Sequence, residues 1–231
     1  MTTTALVTGA NRGIGRALAA ELLDRGAKVY ATARRPDSID LPGAEILALD
    51  VTDPRAVADA ARQAGDVDLL VNNAGIGAGG TFLGDLDAVR AEMDVNFWGT
   101  LSMIRAFVPV LEANGGGAVL NIASAASWFP MPGATGYGAS KAAMWSLANG
   151  LRHELAGKDV LVTSVHLGLA DTDLTKGLDL PKNPASVVAK AALDGVEAGA
   201  YEVIVDDIAA LFKSSAAHDP REFYDRLATL L

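Results

Sequence analysis

A chain of 231 residues, half of them hydrophobic and a fifth charged, has enough apolar material for a sizeable core in one large or two small domains. It has no cysteine, which excludes disulfides, thiolate metal sites and cysteine nucleophiles; His153, His166 and His218 have no metal-ligand spacing, so no metal is expected. A formal charge of −9 argues against a phosphate-backbone partner, so no nucleic acid is expected.

The N-terminus, MTTTALVTGA, has no basic segment before a long apolar run, and no secretion signal is read. The apolar stretches break well before the roughly 20 residues that cross a bilayer. A cytoplasmic protein without a membrane partner is expected.

In chain order, residues 4–9 (TALVTG) read as a buried strand ending in glycine. Ile14, Ala17, Leu18 and Leu22 recur at helical spacing, and Gly26 closes that helix. Residues 28–34 and 45–51 are the second and third strands. Asp53 and Pro54 suit the N-cap and first position of a helix over 54–64. Residues 67–75 (VDLLVNNAG) are a fourth strand running into a polar turn.

Val89, Met93, Phe97, Leu101, Ile104, Val108 and Leu111 form the stripe of one long helix, with Pro109 kinking its end. Residues 117–124 are the fifth strand, 136–156 a helix and 160–166 the sixth strand. Asn183 and Pro184 start another helix, 201–205 is the seventh strand, and an amphipathic helix follows Pro220.

This alternation argues for a parallel sheet covered on both faces, and right-handed crossovers make it doubly wound. No linker or composition break appears, so a single domain over 1–231 is expected. Ligands of such sheets bind beyond the carboxyl ends of the strands. Gly9, Asn73, Gly75, Ser124 and Gly168 all follow strands.

TGANRGIG (8–15) joins the first strand to the first helix, with glycines at 9, 13 and 15. Glycine permits the tight turn and lets a pyrophosphate approach the backbone, while the helix N-terminus offers free N–H groups. At the end of the second strand an acidic residue would bind a ribose hydroxyl, and an arginine a 2′-phosphate. Here stand Arg34 and Arg35, with Arg12 in reach from the glycine loop, and no carboxylate precedes Asp37. NADP(H) is therefore read over NAD(H). The bland alternative is a solvated arginine pair.

Tyr137 and Lys141, four positions apart in GYGASKAAM, share one helix face. A cation one turn from a phenol favours the phenolate and lowers a pKa that is otherwise near 10.

Together TGANRGIG, NNAG, MDVNFWGT, NIAS and YGASK resemble the short-chain dehydrogenase/reductase family, in its order and spacing, from about Thr4 to Thr172. The resemblance implies a seven-stranded Rossmann-type α/β domain and an NADP(H)-dependent oxidoreductase. It makes Tyr137 the general acid for carbonyl reduction, or the base for alcohol oxidation. Lys141 and the positive nicotinamide ring of the oxidised cofactor would lower the tyrosine pKa, and Lys141 would bind the nicotinamide ribose. Ser124 would donate to the substrate oxygen, and Asn96 would order a water linking Lys141 to solvent.

The resemblance also implies cofactor contacts. They are Gly9, Asn11, Arg12, Gly13, Ile14 and Gly15 in the loop, Arg34 and Arg35, then Asp50 and Val51 at the adenine. Asn73, Ala74 and Gly75 follow, then Tyr137, Lys141, Gly168, Leu169 and Thr172. HLGLADTDL has Leu167 where the family usually shows proline, so a residue with a free φ and an N–H precedes the carboxamide contact at Leu169 and Thr172. His153 reads as a surface or interface residue, and His166 as packed and hydrogen-bonded rather than catalytic.

The segments after the fifth and sixth strands should roof the substrate pocket. They supply Trp128, Phe129, Met131, Leu174, Leu178 and Leu180, which suit a carbonyl or alcohol on a mainly apolar small molecule. Residues 168–184 read as a lid. The family's dimers form through the helices bearing Asn96 and Tyr137, so a homodimer is expected, with a homotetramer left open. Two alternatives stand: a non-catalytic dinucleotide sensor or scaffold, and an isomerase or dehydratase using transient redox.

Overall fold

Seven short runs of small and β-branched residues pair side by side, all parallel. The computed structural model describes residues 3–230. The strands are β1 (Thr4–Thr8), β2 (Lys28–Ala33), β3 (Glu45–Ala48), β4 (Leu69–Asn72), β5 (Gly117–Ile122), β6 (Val160–His166) and β7 (Glu202–Ile204). Their order across the sheet is β3-β2-β1-β4-β5-β6-β7. The direction of strand addition reverses at β1, so β1 and β4 diverge into a crevice at their carboxyl ends.

Helices cover both faces because the central strands are apolar on both sides. On one face α1 (Gly13–Asp24) packs beside α6 (Ala185–Glu197), and Leu18, Leu22, Val188 and Leu193 join Val7, Val71 and Leu120. On the other, α2 (Pro54–Gln63), α4 (Thr100–Ala113) and α5 (Thr135–Glu154) bury Val57, Ile104, Phe107 and Leu151 against Leu6, Leu70 and Val119. Gly26 ends α1 as expected: at φ 81° it donates to the Leu23 carbonyl, and Ala27 donates to that of Leu22. Asp53 caps α2 through the Arg55 N–H.

Several elements differ from the sequence reading, each for a local reason. β3 stops at Ala48, because the Asp50 carboxylate turns the chain by accepting from the Thr52 N–H and hydroxyl. β4 stops at Asn72, because the Asn73 side chain turns to the Thr8 carbonyl at 2.8 Å. The long helix is three pieces: α3 (Leu86–Met93), a wide π turn over Asp94–Gly99, and α4. Gly99 sits where a Cβ would fall 2.6 Å from Val51 Cγ2. α4 runs through Pro109 to Ala113 rather than ending there.

Past β7 lie α7 (Asp207–Ser215) and α8 (Pro220–Leu230). The Asp206 side chain caps α7 by accepting from the Ala209 N–H. Phe212 and Phe223 pack there with Phe129, from the segment after β5. Among the described residues, no helix is long and apolar enough to cross a membrane.

Candidate active site

β5 ends at Ile122, and Ser124 follows, buried, at the start of a single tight turn. Its Oγ accepts from the Ala126 N–H at 3.1 Å. Tyr137 lies in the first turn of α5, and Lys141 one turn later. Lys141 is buried and donates to the Ile122 carbonyl at 2.8 Å, two residues before Ser124. Its Nζ is 5.6 Å from the centre of the Tyr137 ring. Strand end and helix start thus bring Ser124, Tyr137 and Lys141 together, as the sequence predicts.

The electrostatics differ from the expectation. Burial pushes Tyr137 up to about 12; the Ser124 hydroxyl lowers it and the Glu92 carboxylate raises it further. Burial alone pulls Lys141 down to about 8. The acidic phenol predicted from the spacing is therefore not produced by the protein alone. Desolvation is the largest influence on the phenol, and the Lys141 ammonium directs one of its three N–H groups to Ile122.

Asn96 is fully buried in the π turn. Its amide donates to the Ile76 carbonyl and the Ser140 hydroxyl, both at 2.9 Å, and its Oδ1 accepts from the Ile76 N–H at 2.9 Å. The side chain is committed to fastening the loop after β4 onto α5. Both amide hydrogens are thus taken, and a water ordered by this side chain would donate to Oδ1, which can accept a second bond. Gly75 is in the same place: a Cβ there would lie 3.1 Å from Asn96 Oδ1 and 3.7 Å from Lys141 Nζ.

The dinucleotide crevice has the features a pyrophosphate needs. α1 has no side-chain cap and no acidic residue in its first turn, as also holds for α5 and α6, and α1 alone of these three follows the glycine loop. Its N-terminal N–H groups are thereby left for an anion. Gly9 and Gly13 have φ of 66° and 54°, and a Cβ on Gly15 would strike the Gly9 carbonyl at 2.3 Å. The Asn73 side chain ties β4 to Thr8 and Gly9, and the Asn73 and Ala74 N–H groups donate to Thr8 Oγ1. Arg34 and Arg35 are exposed and line an open depression with Pro36, Asp37 and Ser38. Asp50 is near Arg34; its hydrogen bonds from Thr52, chiefly, and that charge hold its carboxyl below the usual range. These residues fit a nicotinamide dinucleotide.

Arg12, expected within reach of Arg34 and Arg35, is exposed and makes a surface ion pair across the glycine loop. Its guanidinium is taken by Asp173 at 2.8 Å. Thr172 lies over the glycine loop, with its Cγ2 3.0 Å from where a Gly13 Cβ would be. Leu167 is buried, and its carbonyl accepts from the Ala125 N–H at 2.8 Å. The Gly168 N–H donates to Asp206 at 2.8 Å, so the turn without proline is held from the cap of α7. Leu169 accepts from the Asn183 main chain and side chain, closing the base of the 168–184 segment. From that segment Leu174 reaches Gly77: a Cβ there would lie 3.1 Å from Leu174 Cδ1 and 3.8 Å from the Tyr137 ring.

Phe129 is not a pocket wall. It stacks on Phe223 at 3.9 Å and is buried in the C-terminal cluster. His153 is exposed, and His166 is fully buried.

Two residues at the site escaped the sequence reading. Glu92 is fully buried; its Oε1 accepts from the Ala78 N–H at 2.7 Å, and Gly80 and Gly136 make room for Oε2. Its signal was an acid one turn before Asn96, on the apolar face of the helix. Asp206 joins Gly168, Asn183 and α7. Its signal was an Asp pair directly before an apolar helical run.

Comparison with known proteins agrees with this geometry. The family described as short chain dehydrogenase matches residues 3–183. The 1-deoxy-11-beta-hydroxypentalenate dehydrogenase of Streptomyces avermitilis is 37% identical over 84% of this chain and 79% of its own. The serine 3-dehydrogenase of Agrobacterium fabrum is 35% identical over 90% and 86%. Among solved structures, a short chain dehydrogenase from Burkholderia cenocepacia in complex with NADP superposes with a TM-score of 0.93. It is 39% identical and covers 98% of this chain and 97% of its own. Sheet order, glycine loop and the Ser124–Tyr137–Lys141 cluster lead to the same place as these matches: the chain belongs to the short-chain dehydrogenase/reductase family.

Proposed function

We propose that this oxidoreductase is an NADP(H)-dependent carbonyl reductase or alcohol dehydrogenase acting on a mainly apolar small molecule. The observation that carries the reading is the Ser124–Tyr137–Lys141 cluster, set at the carboxyl ends of the strands beside an uncapped glycine loop. A bound nicotinamide would supply or accept the hydride. Ser124 donates to the substrate oxygen and steadies developing negative charge. Tyr137, protonated near neutral pH, gives that oxygen its proton in reduction. Lys141 and Gly75 border the place for the nicotinamide ribose.

Arg34 and Arg35 favour the 2′-phosphate of NADP, and the NADP held by the Burkholderia cenocepacia relative supports this choice. Residues 168–184 act as the lid, closed at their base by Asn183 and reaching the site through Leu174. Exposed Leu178 and Leu180 give the lid an apolar surface for substrate. The exposed Trp98, between α3 and α4, fits a homodimer through the helices expected to form one.

The test is NADPH oxidation by the purified chain over a panel of ketones and aldehydes, with Tyr137→Phe alongside. Expected are turnover by the wild type, loss of about 10²-fold or more in the variant, and NADPH affinity unchanged in both. Tight cofactor binding without turnover on any carbonyl would favour the sensor alternative. Near-normal turnover in Tyr137→Phe would remove the proton role.

A further inference from the structure

His166 ends β6 directly behind Ser124, and nothing in the chemistry above uses it. Its Nδ1 lies 3.1 Å from the Ser124 carbonyl. A carbonyl only accepts, so Nδ1 carries the hydrogen. The neutral ring then has a bare lone pair on Nε2. That atom is buried and has no hydrogen-bond partner. The nearest carboxylate oxygen, Glu202 Oε1, is 3.8 Å away and is already bonded by Trp145 Nε1 at 2.7 Å. The other oxygen of Glu202 accepts from Lys213 at 2.5 Å.

One ring nitrogen is thus left unsatisfied in the core, at a cost that a leucine or phenylalanine would not carry. The bond to Ser124 and the face offered to Trp128 are what the histidine provides in return. Trp128 stacks on the imidazole at 4.3 Å and 23°. It lies four residues past Ser124, on the same short segment, and meets Trp145 edge-on at 6.3 Å. The imidazole therefore grips that segment at two points, and β6 and β7 hold the imidazole.

We propose that His166 is a positioning residue: through Nδ1–H on the Ser124 carbonyl, it sets where the Ser124 hydroxyl meets the substrate oxygen. The proposal rests on the role of Ser124 given above. A hydroxyl that stabilises charge acts only over a narrow range of position, so loosening its backbone lowers turnover more than binding.

The experiment uses the full chain, NADPH and the carbonyl turned over fastest in the panel. Asparagine places an amide N–H close to Nδ1, whereas glutamine places it at Nε2. His166→Asn should keep kcat within about threefold of wild type, while His166→Gln and His166→Phe should lose about tenfold or more, with KM for NADPH unchanged. If His166→Phe does not fold, the asparagine and glutamine variants decide. Equal kcat in those two, or a loss confined to KM, would overturn the proposal alone. A wild type with no turnover on any carbonyl would overturn the oxidoreductase reading first, and this inference with it.

Discussion

Tyr137 is half-buried and Lys141 buried, and loss of water works on them in opposite directions: the phenol becomes a weaker acid and the ammonium a stronger one. In the unfolded chain the lysine titrates near 10.5, and in the folded protein near 8. The unfolded state therefore holds more protons across that window, and stability rises with pH through it. Lys141→Met removes the buried charge at similar length. It should raise stability at about pH 7 by about 1–3 kcal/mol, and the gain should shrink as the pH climbs from 8 to 10.5. Urea unfolding at several pH values checks this; a gain independent of pH would refute it. Glu92 works on the tyrosine by charge, since its carboxylate raises the phenol pKa. Glu92→Gln keeps an acceptor for the Ala78 N–H but drops the charge. The basic limb of kcat for reduction should then move to lower pH, and an unmoved limb would show that the charge does not reach the phenol.

At the scale of elements, the chemistry sits where secondary structures end. β2 ends at Ala33, and Arg34 and Arg35 follow on an exposed turn. Arg34→Asp should weaken NADPH at least about tenfold while leaving NADH near its original affinity, because only the former carries the 2′-phosphate. Titration of both cofactors by fluorescence measures the difference, and equal losses would move the phosphate contact elsewhere. The π turn shows why a helical period alone is not enough. Of the apolar stripe read from Val89 to Leu111 only Ile104 and Leu111 are buried; the packed face also runs through Glu92, Asn96, Gly99, Met103 and Phe107, where Asn96 fastens the loop after β4 and Gly99 fits against Val51. A π turn inserts extra backbone and so shifts which side chains face the core on either side of it.

At the scale of the whole molecule, the C-terminal helices close over the segment that carries Ser124. Phe223 of α8 is buried between Phe129 and Phe212. Phe223→Ala should cost about 3 kcal/mol and lower the thermal midpoint by roughly 5–10 °C. Calorimetry reads this directly, and an unchanged midpoint would mean that the cluster does not contribute to global stability.

Spacing and periodicity along the chain were enough for the β–α alternation, the glycine loop, the Tyr137–Lys141 pair on one helix face and the turn at Ser124, because each depends on residues within one or two turns of one another. The family resemblance rested on the same local patterns. Only the tertiary structure decided that Arg12 pairs with Asp173, 161 positions away, that the Asn96 amide is spent on Ile76 and Ser140, and that Glu92 and Asp206 belong to the site. It also decided the sign of the Tyr137 shift. A pKa depends on everything packed around a group, and side chains brought together from distant segments leave no period in the sequence.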